Sequence, residues 1–320
     1  MQKLLVICGP TGTGKTDLGL KLAKKFGGEI VSADSRQVYI GMNIGTGKEV
    51  KIQNSKGKIS IQKLKDKWVV KGVPIHLYDV IDPDERFSLA EYQQLALERI
   101  KDIQTRKKLP ILVGGTGLYV QAVTEGLKIP KVAPDTKLRQ QLEDTDINEL
   151  LEELKKVDGK TFEKIDKNNK RRIVRALEVF RQTGELFSNL QEKYLKIDFD
   201  ILKIGLTTER ETLYEKVDKR IESWFEEGFV DEVKTLLKTY SPELPSMTSL
   251  GYRQVAMHLN KQISLNEAKQ RMKFEHHGYI RRQLTWFKRD KTIYWYDITM
   301  ENLNNEIEYL VKGFLAKKEA

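Results

Sequence analysis

Residues 8–16 near the start of the chain, "CGPTGTGKT", have the types and the spacing needed to bind phosphate. The pattern G-x-x-x-x-G-K-T wraps backbone amides around phosphate oxygens and places the positive end of a helix behind them. Lys15 can neutralise phosphate charge, and the hydroxyl of Thr16 can bind Mg²⁺. The residues assigned to a phosphate-bearing ligand are Gly9, Pro10, Thr11, Gly12, Thr13, Gly14, Lys15 and Thr16.

The acid that usually accompanies such a loop is missing from its usual place. ATP-hydrolysing proteins with this loop hold Mg²⁺ with an aspartate at the end of another apolar strand. The corresponding strand here, "ILVGG" at 111–115, ends in glycines. Asp79 or Asp82, in "LYDVIDP", could take its place. A loop without this acid suits holding a diphosphate better than splitting a triphosphate.

A second candidate for chemistry is Asp34, which follows an apolar run in "EIVSADSRQVY". In a parallel sheet this run ends beside the phosphate loop, at the edge where ligands bind. Two interpretations stay open. Either Asp34 or Ser35 caps a following helix, or Asp34 is a general base that accepts a proton next to the bound phosphate.

The elements that position these residues alternate between strand and helix through the first third of the chain. Ser88 and Glu91 form a capping-box pair at the start of one helix. The alternation predicts an α/β fold, a doubly wound parallel sheet with the phosphate loop (P-loop) after its first strand. The predicted strands are 3–9, 29–34 and 110–115, and the predicted helices are 16–26 and 89–107.

The chain divides into three parts on the same basis. Residues 1–128 are the first part of the P-loop α/β core, with an excursion at about 49–74 that has the alternation and turn residues of a hairpin. Residues 129–200 are a helical insertion domain. Residues 201–320 return to the core and add C-terminal helices. The helices predicted in the last two parts are 138–157, 171–182, 209–227 and 266–288.

Composition narrows the class of protein. The 320 residues include 56 Lys and Arg against 46 Asp and Glu, and the net charge of +10 fits a polyanionic partner. The single cysteine, Cys8, excludes an internal disulfide, indicates a reducing compartment and is expected to be a buried strand residue. No apolar stretch reaches the length of a signal-peptide core or a membrane span, so we expect a cytoplasmic protein without membrane contact.

Several blocks, taken in order, resemble the tRNA dimethylallyltransferase family, whose members are also called tRNA isopentenyltransferases. The blocks are "GPTGTGKT", "SADSRQVYIGMNIGTGK", "PILVGGTGLY", "RRIVRALEVF", "SLGYRQV" and "RRQLTWFKRD". The resemblance runs from Leu4 to about Trp295, and it is specific as a set although each block alone is weak. The chain has no C-terminal Cys/His zinc module of the kind found in some eukaryotic members, which favours the bacterial type.

The resemblance implies transfer of a dimethylallyl group from dimethylallyl diphosphate to the exocyclic amine of the adenosine immediately 3′ of the anticodon in tRNA. The phosphate loop then holds the leaving diphosphate, with Mg²⁺ as the cofactor, and ATP is not the substrate. Asp34 matches the family's base, Thr116 lies near the reacting centre, and Arg220 is a further diphosphate ligand.

The resemblance also implies that the anticodon arm of tRNA is held by three regions of a chain that we expect to be a monomer. These are the turn around Asp34, the helical insertion and later loop and helix residues. The residues that we expect to bind tRNA are Asp34, Ser35, Arg36, Gln37, Thr116, Arg139, Arg171, Arg172, Ile173, Val174, Arg175, Thr248, Ser249, Leu250, Gly251, Tyr252, Arg253, Arg281 and Arg282.

For some of these residues, the chemistry of the side chain also gives a physical reason to expect contact with RNA. Helical spacing places Arg171, Arg175 and Glu178 on one polar face of the insertion. Tyr252 is of a type that stacks on exposed nucleotides. Arg281 and its neighbours form a basic side of the last long helix that is suited to phosphate contacts.

Two other functions remain as alternatives at this stage. The first is a small-molecule phosphotransferase that uses the same loop to bind ATP and uses Asp34 to activate a hydroxyl. The second is a nucleotide-gated RNA-binding protein without transfer chemistry, which leaves an acid beside the phosphate loop unexplained.

Overall fold

The computed structural model describes residues 2–48, 61–64, 67–129, 132, 135–191 and 197–317. The strands are β1 (Gln2–Cys8), β2 (Gly28–Ser32), β3 (Ile61–Leu64), β4 (Lys67–Val70), β5 (Val73–His76), β6 (Leu109–Gly114), β7 (Phe199–Thr207) and β8 (Ile293–Asp297). The helices are α1 (Lys15–Phe26), α2 (Leu89–Thr105), α3 (Gly117–Thr124), α4 (Thr136–Asp144), α5 (Ile147–Val157), α6 (Gly159–Lys164), α7 (Lys170–Thr183), α8 (Phe187–Gln191), α9 (Arg210–Glu226), α10 (Phe229–Leu236), α11 (Tyr252–Leu259), α12 (Leu265–Phe287) and α13 (Leu303–Ala316). Within these ranges no helix combines the length and the apolar character that crossing a membrane requires.

The described strands form one sheet in the order β3-β4-β5-β2-β6-β1-β7-β8. In the part of the sheet from β5 to β8, every pair of adjacent strands is parallel. Parallel neighbours need crossover connections, and helices supply them here. The predicted α/β fold with a doubly wound parallel sheet is confirmed, and the carboxyl ends of β2, β6 and β1 lie next to one another at one edge.

Strand β1 lies between β6 and β7, and every one of its residues from Leu4 to Cys8 is fully buried. Because both faces of a parallel sheet are covered, such a strand is apolar throughout rather than alternating. Cys8 is therefore the buried strand residue that was expected. Burial raises the pKa of its thiol to about 12, so the thiol stays protonated at neutral pH and is a poor nucleophile.

Helices α1 and α2 begin and end close to the residues predicted from the sequence. The amide of Glu91 donates to Ser88 Oγ at 3.2 Å, and the amide of Ser88 donates to the Glu91 carboxylate at 2.7 Å. This is the predicted capping box, and α2 starts at the next residue, Leu89. Helix α1 ends at Phe26, the predicted last residue, directly before Gly27 and Gly28.

The excursion predicted at 49–74 adds strands to one edge of the sheet. Strands β3, β4 and β5 pair antiparallel, with Ile61 opposite Val70 and Trp68 opposite Ile75. This pairing matches the predicted hairpin. The parts of the excursion at 49–60 and 65–66 lie outside the described residues.

A second apolar cluster joins helices α9 to α12 to the segment after β2. It includes Val38 from that segment and the stripe Leu213, Val217 and Ile221 of α9, all of them buried. Residues spaced three or four apart share one helix face, so this stripe faces the cluster. The burial of one face fixes the rotation of α9 and, with it, the direction of Arg220.

The residues Gln121–Ile197 form a compact unit of their own, and Met1–Val120 together with Asp198–Ala320 form the other. The sequence placed the insertion at 129–200. Apolar side chains from α4, α5 and α7 make up the core of the smaller unit. An inserted domain has its own core and lies, in the sequence, between two segments that form the other unit, and this unit meets both conditions.

The single helix predicted over 138–157 is wrong, because two helices lie there. Helix α4 ends at Asp144 and α5 begins at Ile147. Between them Asp146 caps α5, and its carboxylate accepts a hydrogen bond from the amide of Asn148 at 2.8 Å. An aspartate in this position satisfies an amide that the first helical turn leaves free, so it starts a new helix instead of continuing the old one.

Candidate active site

The phosphate-loop residues lie between the end of β1 and the start of α1. The carbonyl of Pro10 braces the loop from inside, since it accepts hydrogen bonds from Thr13 Oγ1 at 2.9 Å and from Lys15 Nζ at 2.7 Å. Thr13 is buried, so its hydroxyl serves the loop itself. The other ammonium protons of Lys15 and the amides of the first turn of α1 are left for an anion.

The ammonium of Lys15 shares its surroundings with two other charged groups. Burial lowers its pKa to about 8, the carboxylate of Asp34 opposes this shift, and the guanidinium of Arg220 adds to it. The three residues come from the phosphate loop, the turn after β2, and α9. An anion bound between Lys15 and Arg220 would relieve the repulsion between these two cations.

These groups line a cavity of about 660 Å³. Its size is typical of a small-molecule site. Seven basic side chains line it against three acidic ones, which gives it a positive field that favours a polyanion. The basic residues are Lys15, Arg36, Lys48, Lys71, Lys216, Lys219 and Arg220, and the acidic residues are Asp17, Asp34 and Glu227.

Arg220 is held in place by contacts on two sides. Its guanidinium lies 5.1 Å from the centre of the Trp224 ring, a cation–π arrangement, and Nη2 donates to the carbonyl of Gly47 at 3.4 Å. Residue 47 has φ +65°, and a Cβ there would lie 2.0 Å from Nη2 of Arg220. Glycine is therefore required at this position both by the backbone conformation and by the arginine.

Asp34 lies in a turn after β2 and not at the start of a helix. Its Oδ1 accepts a hydrogen bond from the amide of Arg36 at 2.9 Å, and the residues that follow, up to 48, form turns. The interpretation of Asp34 or Ser35 as a helix cap is wrong for this reason. Asp34 is half-buried and lines the cavity, which leaves its carboxylate accessible to a ligand.

Thr116 ties the loop after β6 to the turn that carries Asp34. Its Oγ1 accepts a hydrogen bond from the amide of Ser35 at 3.1 Å, and its own amide donates to the carbonyl of Ala33 at 3.2 Å. The phenol of Tyr279, on α12, is hydrogen-bonded to the Thr116 side chain. Burial, with the nearby Asp34 carboxylate, raises the pKa of Tyr279 to about 12. Sequence reasoning did not single out Tyr279.

Tyr252 does not have the exposed position that a stacking role requires. Its ring is fully buried and packs edge-on against Phe229 at 5.1 Å between centroids. Its hydroxyl donates to Glu232 Oε1 at 2.6 Å. The interpretation of this ring as a platform for a nucleotide is therefore corrected, because tertiary packing covers it.

Glu232 is a second residue that sequence reasoning missed. Its carboxylate accepts hydrogen bonds from the amides of Asn43, Ile44 and Gly45 at 3.1, 2.8 and 3.5 Å. It therefore holds the segment that leads to Gly47, the partner of Arg220. No local pattern marks Glu232, because an acid in the first turn of a helix is common for reasons of the helix dipole alone.

Comparison with known proteins identifies the family. The family described as IPP transferase matches residues 37–290 of the chain. The chain belongs to this family. The tRNA dimethylallyltransferase of Finegoldia magna is 40% identical over 304 residues, which cover 93% of this chain and 91% of that protein. The tRNA dimethylallyltransferase of Dehalococcoides mccartyi is 43% identical, and the match covers 99% of this chain and 94% of that protein.

Solved structures agree with this assignment. The full-length tRNA isopentenylpyrophosphate transferase of Bacillus halodurans has a TM-score of 0.70 at 35% identity, and the match covers 98% of this chain and 97% of that one. A eukaryotic dimethylallyltransferase studied in action on tRNA has a TM-score of 0.78 at 27% identity, covering 100% of this chain and 81% of that one. The family resemblance recognised in the sequence is confirmed.

Of the RNA-contact residues expected beside Asp34 in this IPP transferase chain, Ser35 and Arg36 are half-buried and Gln37 is buried. Nη1 of Arg36 donates to the carbonyl of Pro245 at 3.0 Å. The Gln37 amide accepts a hydrogen bond from Ser32 Oγ at 2.8 Å. Gln37 therefore braces the end of β2, and it also lines the cavity.

The insertion residues expected to contact tRNA fall into two groups. Arg171 and Arg172 are exposed, whereas Ile173 and Val174 are buried in the core of this unit. Ile173 and Val174 thus support the helix rather than offer side chains to a ligand.

Glu178, which helical spacing placed on one polar face with Arg171 and Arg175, is fully buried. Its Oε2 accepts hydrogen bonds from Arg139 at 2.6 Å and Arg175 at 2.7 Å. Burial favours the neutral acid, but the two arginines outweigh it and hold the pKa of Glu178 below its usual value. Arg139 and Arg175 are therefore structural partners of a buried carboxylate, whatever else they bind.

The remaining expected tRNA contacts differ in exposure. Thr248 and Arg253 are exposed, with Arg253 paired to Glu275, while Ser249 and Gly251 are buried. Leu250 is half-buried and lines the cavity. On α12, Arg281 and Arg282 are exposed.

The donor set fits a metal ion only if the ligand supplies most of the oxygens. In the part of the chain that the structure describes, no group of three or more His, Cys, Asp or Glu could hold a metal. Asp79, considered as a substitute acid, is instead paired with Lys48 and accepts from Trp68 Nε1 at 3.0 Å. Thr16 lines the cavity, and Mg²⁺ commonly binds through one or two protein oxygens plus phosphate and water.

Proposed function

We propose that the chain transfers the dimethylallyl group of dimethylallyl diphosphate to the exocyclic amine of the adenosine immediately 3′ of the anticodon in tRNA. Family membership gives tRNA prenylation. The observation that supports the particular chemistry is the placing of one carboxylate, Asp34, at a cavity with the cations Lys15 and Arg220. Acid and cations are what an alkyl transfer with a diphosphate leaving group needs.

The cations act on the leaving group. When the allylic carbon–oxygen bond breaks, negative charge grows on the diphosphate, and fixed positive groups that stabilise this charge lower the barrier. Lys15, Arg220 and the amides at the start of α1 supply that charge. We propose Thr16 as the protein ligand of a Mg²⁺ ion, which when bound neutralises further charge on the diphosphate.

Asp34 acts on the acceptor. The lone pair of the adenine amine is delocalised into the ring, so the amine is a weak nucleophile. As the nitrogen–carbon bond forms, the nitrogen must lose a proton, and the carboxylate of Asp34 accepts it. We propose that Thr116 helps to place the adenosine, since it is hydrogen-bonded to the turn that carries Asp34.

The same proposal covers the state of the protein. We propose that the active form is a monomer. We place its activity in the cytoplasm, where tRNA is used.

One incubation tests the function. The protein is mixed with tRNA, Mg²⁺ and radiolabelled dimethylallyl diphosphate, and a parallel tube contains γ-labelled ATP instead. Label is expected in tRNA from the first tube alone, and not in a tRNA whose adenosine 3′ of the anticodon is replaced by uridine. Label transferred from ATP would favour a phosphotransferase. Binding of tRNA without transfer in either tube would favour an RNA-binding protein.

A further inference from the structure

The side chain of Gln283 joins the two loops on which the site is built. It lies on α12 and is 4% exposed. Its Oε1 accepts a hydrogen bond from the amide of Thr11, in the phosphate loop, at 2.9 Å. Its Nε2 donates to the carbonyl of Gly115, in the loop after β6, at 2.9 Å. The side-chain amide of Gln283 thus accepts a hydrogen bond from the phosphate loop through its oxygen and donates one to the loop after β6 through its nitrogen.

The neighbours of Gln283 on α12 contact the same loop. Tyr279, one turn earlier, is hydrogen-bonded to Thr116. Trp286, three residues later, packs against Gly117, where a Cβ would lie 2.2 Å from Trp286 Cδ1. A Cβ on Gly115 would lie 2.4 Å from Nε2 of Gln283. Because neither glycine leaves room for a side chain, the loop can lie directly on the helix.

The bond to Thr11 also affects how the phosphate loop binds its ligand. The Thr11 amide is used by Gln283, and Pro10 has no amide proton, so the first part of the loop contributes few donors to an anion. The donors for the ligand come from the later residues at the start of α1. Gln283 therefore holds the outer side of the loop while its inner side faces the ligand.

We propose that Gln283 is a positioning residue for the transfer reaction, which sets the distance between the phosphate loop and the loop that carries Thr116. This inference rests on the proposed function. The diphosphate is held on one side of the Gln283 amide, and the acceptor is placed through Thr116 on the other. A fixed distance between them keeps the allylic carbon in line with the amine.

Only a side chain with a donor and an acceptor at its end can make both bonds. A glutamate in the same space keeps the acceptor toward Thr11 but sets an oxygen against the carbonyl of Gly115. A leucine has neither group and leaves a buried amide and a buried carbonyl without a partner. Gln283→Glu and Gln283→Leu therefore separate the two contacts.

The test uses the full chain and four measurements. These are the affinity for inorganic diphosphate, the affinity for tRNA, the single-turnover transfer rate with both substrates saturating, and the midpoint of thermal unfolding. The matched control is Gln104→Leu. Gln104 donates to the carbonyl of Lys3 at 3.2 Å, at the end of β1 away from the phosphate loop.

Gln283→Leu is expected to weaken diphosphate binding about 10-fold and to lower the saturated rate about 10²-fold, since small displacements of reacting groups have effects of this size. The affinity for tRNA stays within about threefold of the unmutated protein. Gln283→Glu is expected to lower the saturated rate by a similar factor and also to weaken diphosphate binding, because its carboxylate, bonded to the Thr11 amide, repels the diphosphate.

Several results would overturn the proposal. If Gln283→Leu loses stability but matches Gln104→Leu in diphosphate affinity and saturated rate, the residue is structural only. If Gln283→Leu does not fold, Gln283→Glu decides alone, and an unchanged rate in that variant rejects the inference. Failure of the proposed function is distinct from both, because then the unmutated protein transfers no dimethylallyl group while the effect on diphosphate binding can still be measured.

Discussion

The guanidinium of Arg220 occupies the space that any side chain on residue 47 would need, so that Gly47 and Arg220 are fitted to each other. Gly47→Ala is therefore expected to displace the arginine from the cavity. Loss of a charged hydrogen-bonding group toward the ligand costs about 1.5–3 kcal/mol, or roughly 10- to 100-fold in the Kd for inorganic diphosphate.

Gly313→Ala is the control for this change. Gly313 lies in α13, and a Cβ there meets nothing within 4 Å. The substitution is expected to leave diphosphate binding unchanged and to stabilise the helix slightly. Calorimetric titration with inorganic diphosphate measures both variants. Normal affinity in Gly47→Ala would remove Arg220 from the list of diphosphate ligands.

Asp34→Asn is expected to keep the fold and the affinity for tRNA but to lose about 10²–10⁴-fold in transfer rate, the range for a positioned general base. The asparagine oxygen can still accept the hydrogen bond from Arg36, so the turn is kept. Asp297→Asn is the matched control, because Asp297 accepts from the amide of Thr299 at 2.8 Å in the same kind of turn. Near-normal turnover by Asp34→Asn would show that another group takes the proton.

The affinity for diphosphate should depend on pH through the protonation of the Lys15 ammonium. Its pKa is lowered from the ordinary value of 10.5 to about 8, mainly by burial. Above about pH 8 the ammonium loses its proton, so affinity for inorganic diphosphate is expected to fall as pH rises. Lys15→Ala should bind weakly with no such step. Comparing the two proteins at each pH cancels the ionisation of diphosphate itself, and parallel curves would mean that Lys15 does not contact the ligand.

The stability of the ligand-free protein should change in the opposite direction. Between about pH 8 and the unfolded value of 10.5, the unfolded chain binds more protons at this position than the folded chain. The contribution of Lys15 to the free energy of unfolding therefore increases with pH in this window. Thermal unfolding of the unmutated protein and of Lys15→Ala, measured across that window, gives the difference.

The exposed arginines of α12 are expected to supply tRNA affinity without reading sequence. Arg281→Gln and Arg282→Gln should each weaken binding about equally for all tRNA substrates and flatten the log–log salt dependence by about 0.7–0.9. The single-turnover rate on bound tRNA should hardly change. Binding titrations at several salt concentrations test this, and an unchanged slope would show that these arginines do not contact phosphate.

Arg175→Gln is expected to behave differently from the α12 variants, because Arg175 is paired with the buried Glu178. It should lower the free energy of unfolding by about 1–3 kcal/mol, with Arg139 remaining as the second partner of the carboxylate. Arg172→Gln, an exposed position on the same helix, is its control. Equal stability of these two variants would contradict the structural role of the Arg175–Glu178 pair.

Features that depend on neighbouring residues in the sequence could be predicted. The phosphate loop, the buried strand before it and the capping box at Ser88 are each encoded within a few residues, so their types and spacing are sufficient. The position of Asp34 beside the phosphate loop could also be predicted, because parallel strands bring their carboxyl ends to one edge of the sheet.

Features that depend on distant contacts could not be predicted. Tyr252 is of a residue type that stacks on nucleotides, but Phe229 packs against its ring, which is buried. Helical spacing placed Glu178 on a polar face, but its side chain is buried and accepts a hydrogen bond from Arg139 of another helix. The role of Gln283 requires the positions of Thr11 and Gly115, which lie far from it in the sequence.

The pairing of β1 with β7 has a consequence for how the chain acquires its structure during synthesis. Gln2 of β1 pairs with Phe199 of β7, so β1 keeps one edge unpaired until the insertion has been synthesised. At roughly 5–20 residues per second, this interval lasts on the order of 10–40 s. Gln121–Ile197, which has its own core, is complete before that edge is covered. On the ribosome, the helical insertion is therefore expected to become protease-resistant before the sheet that flanks it does.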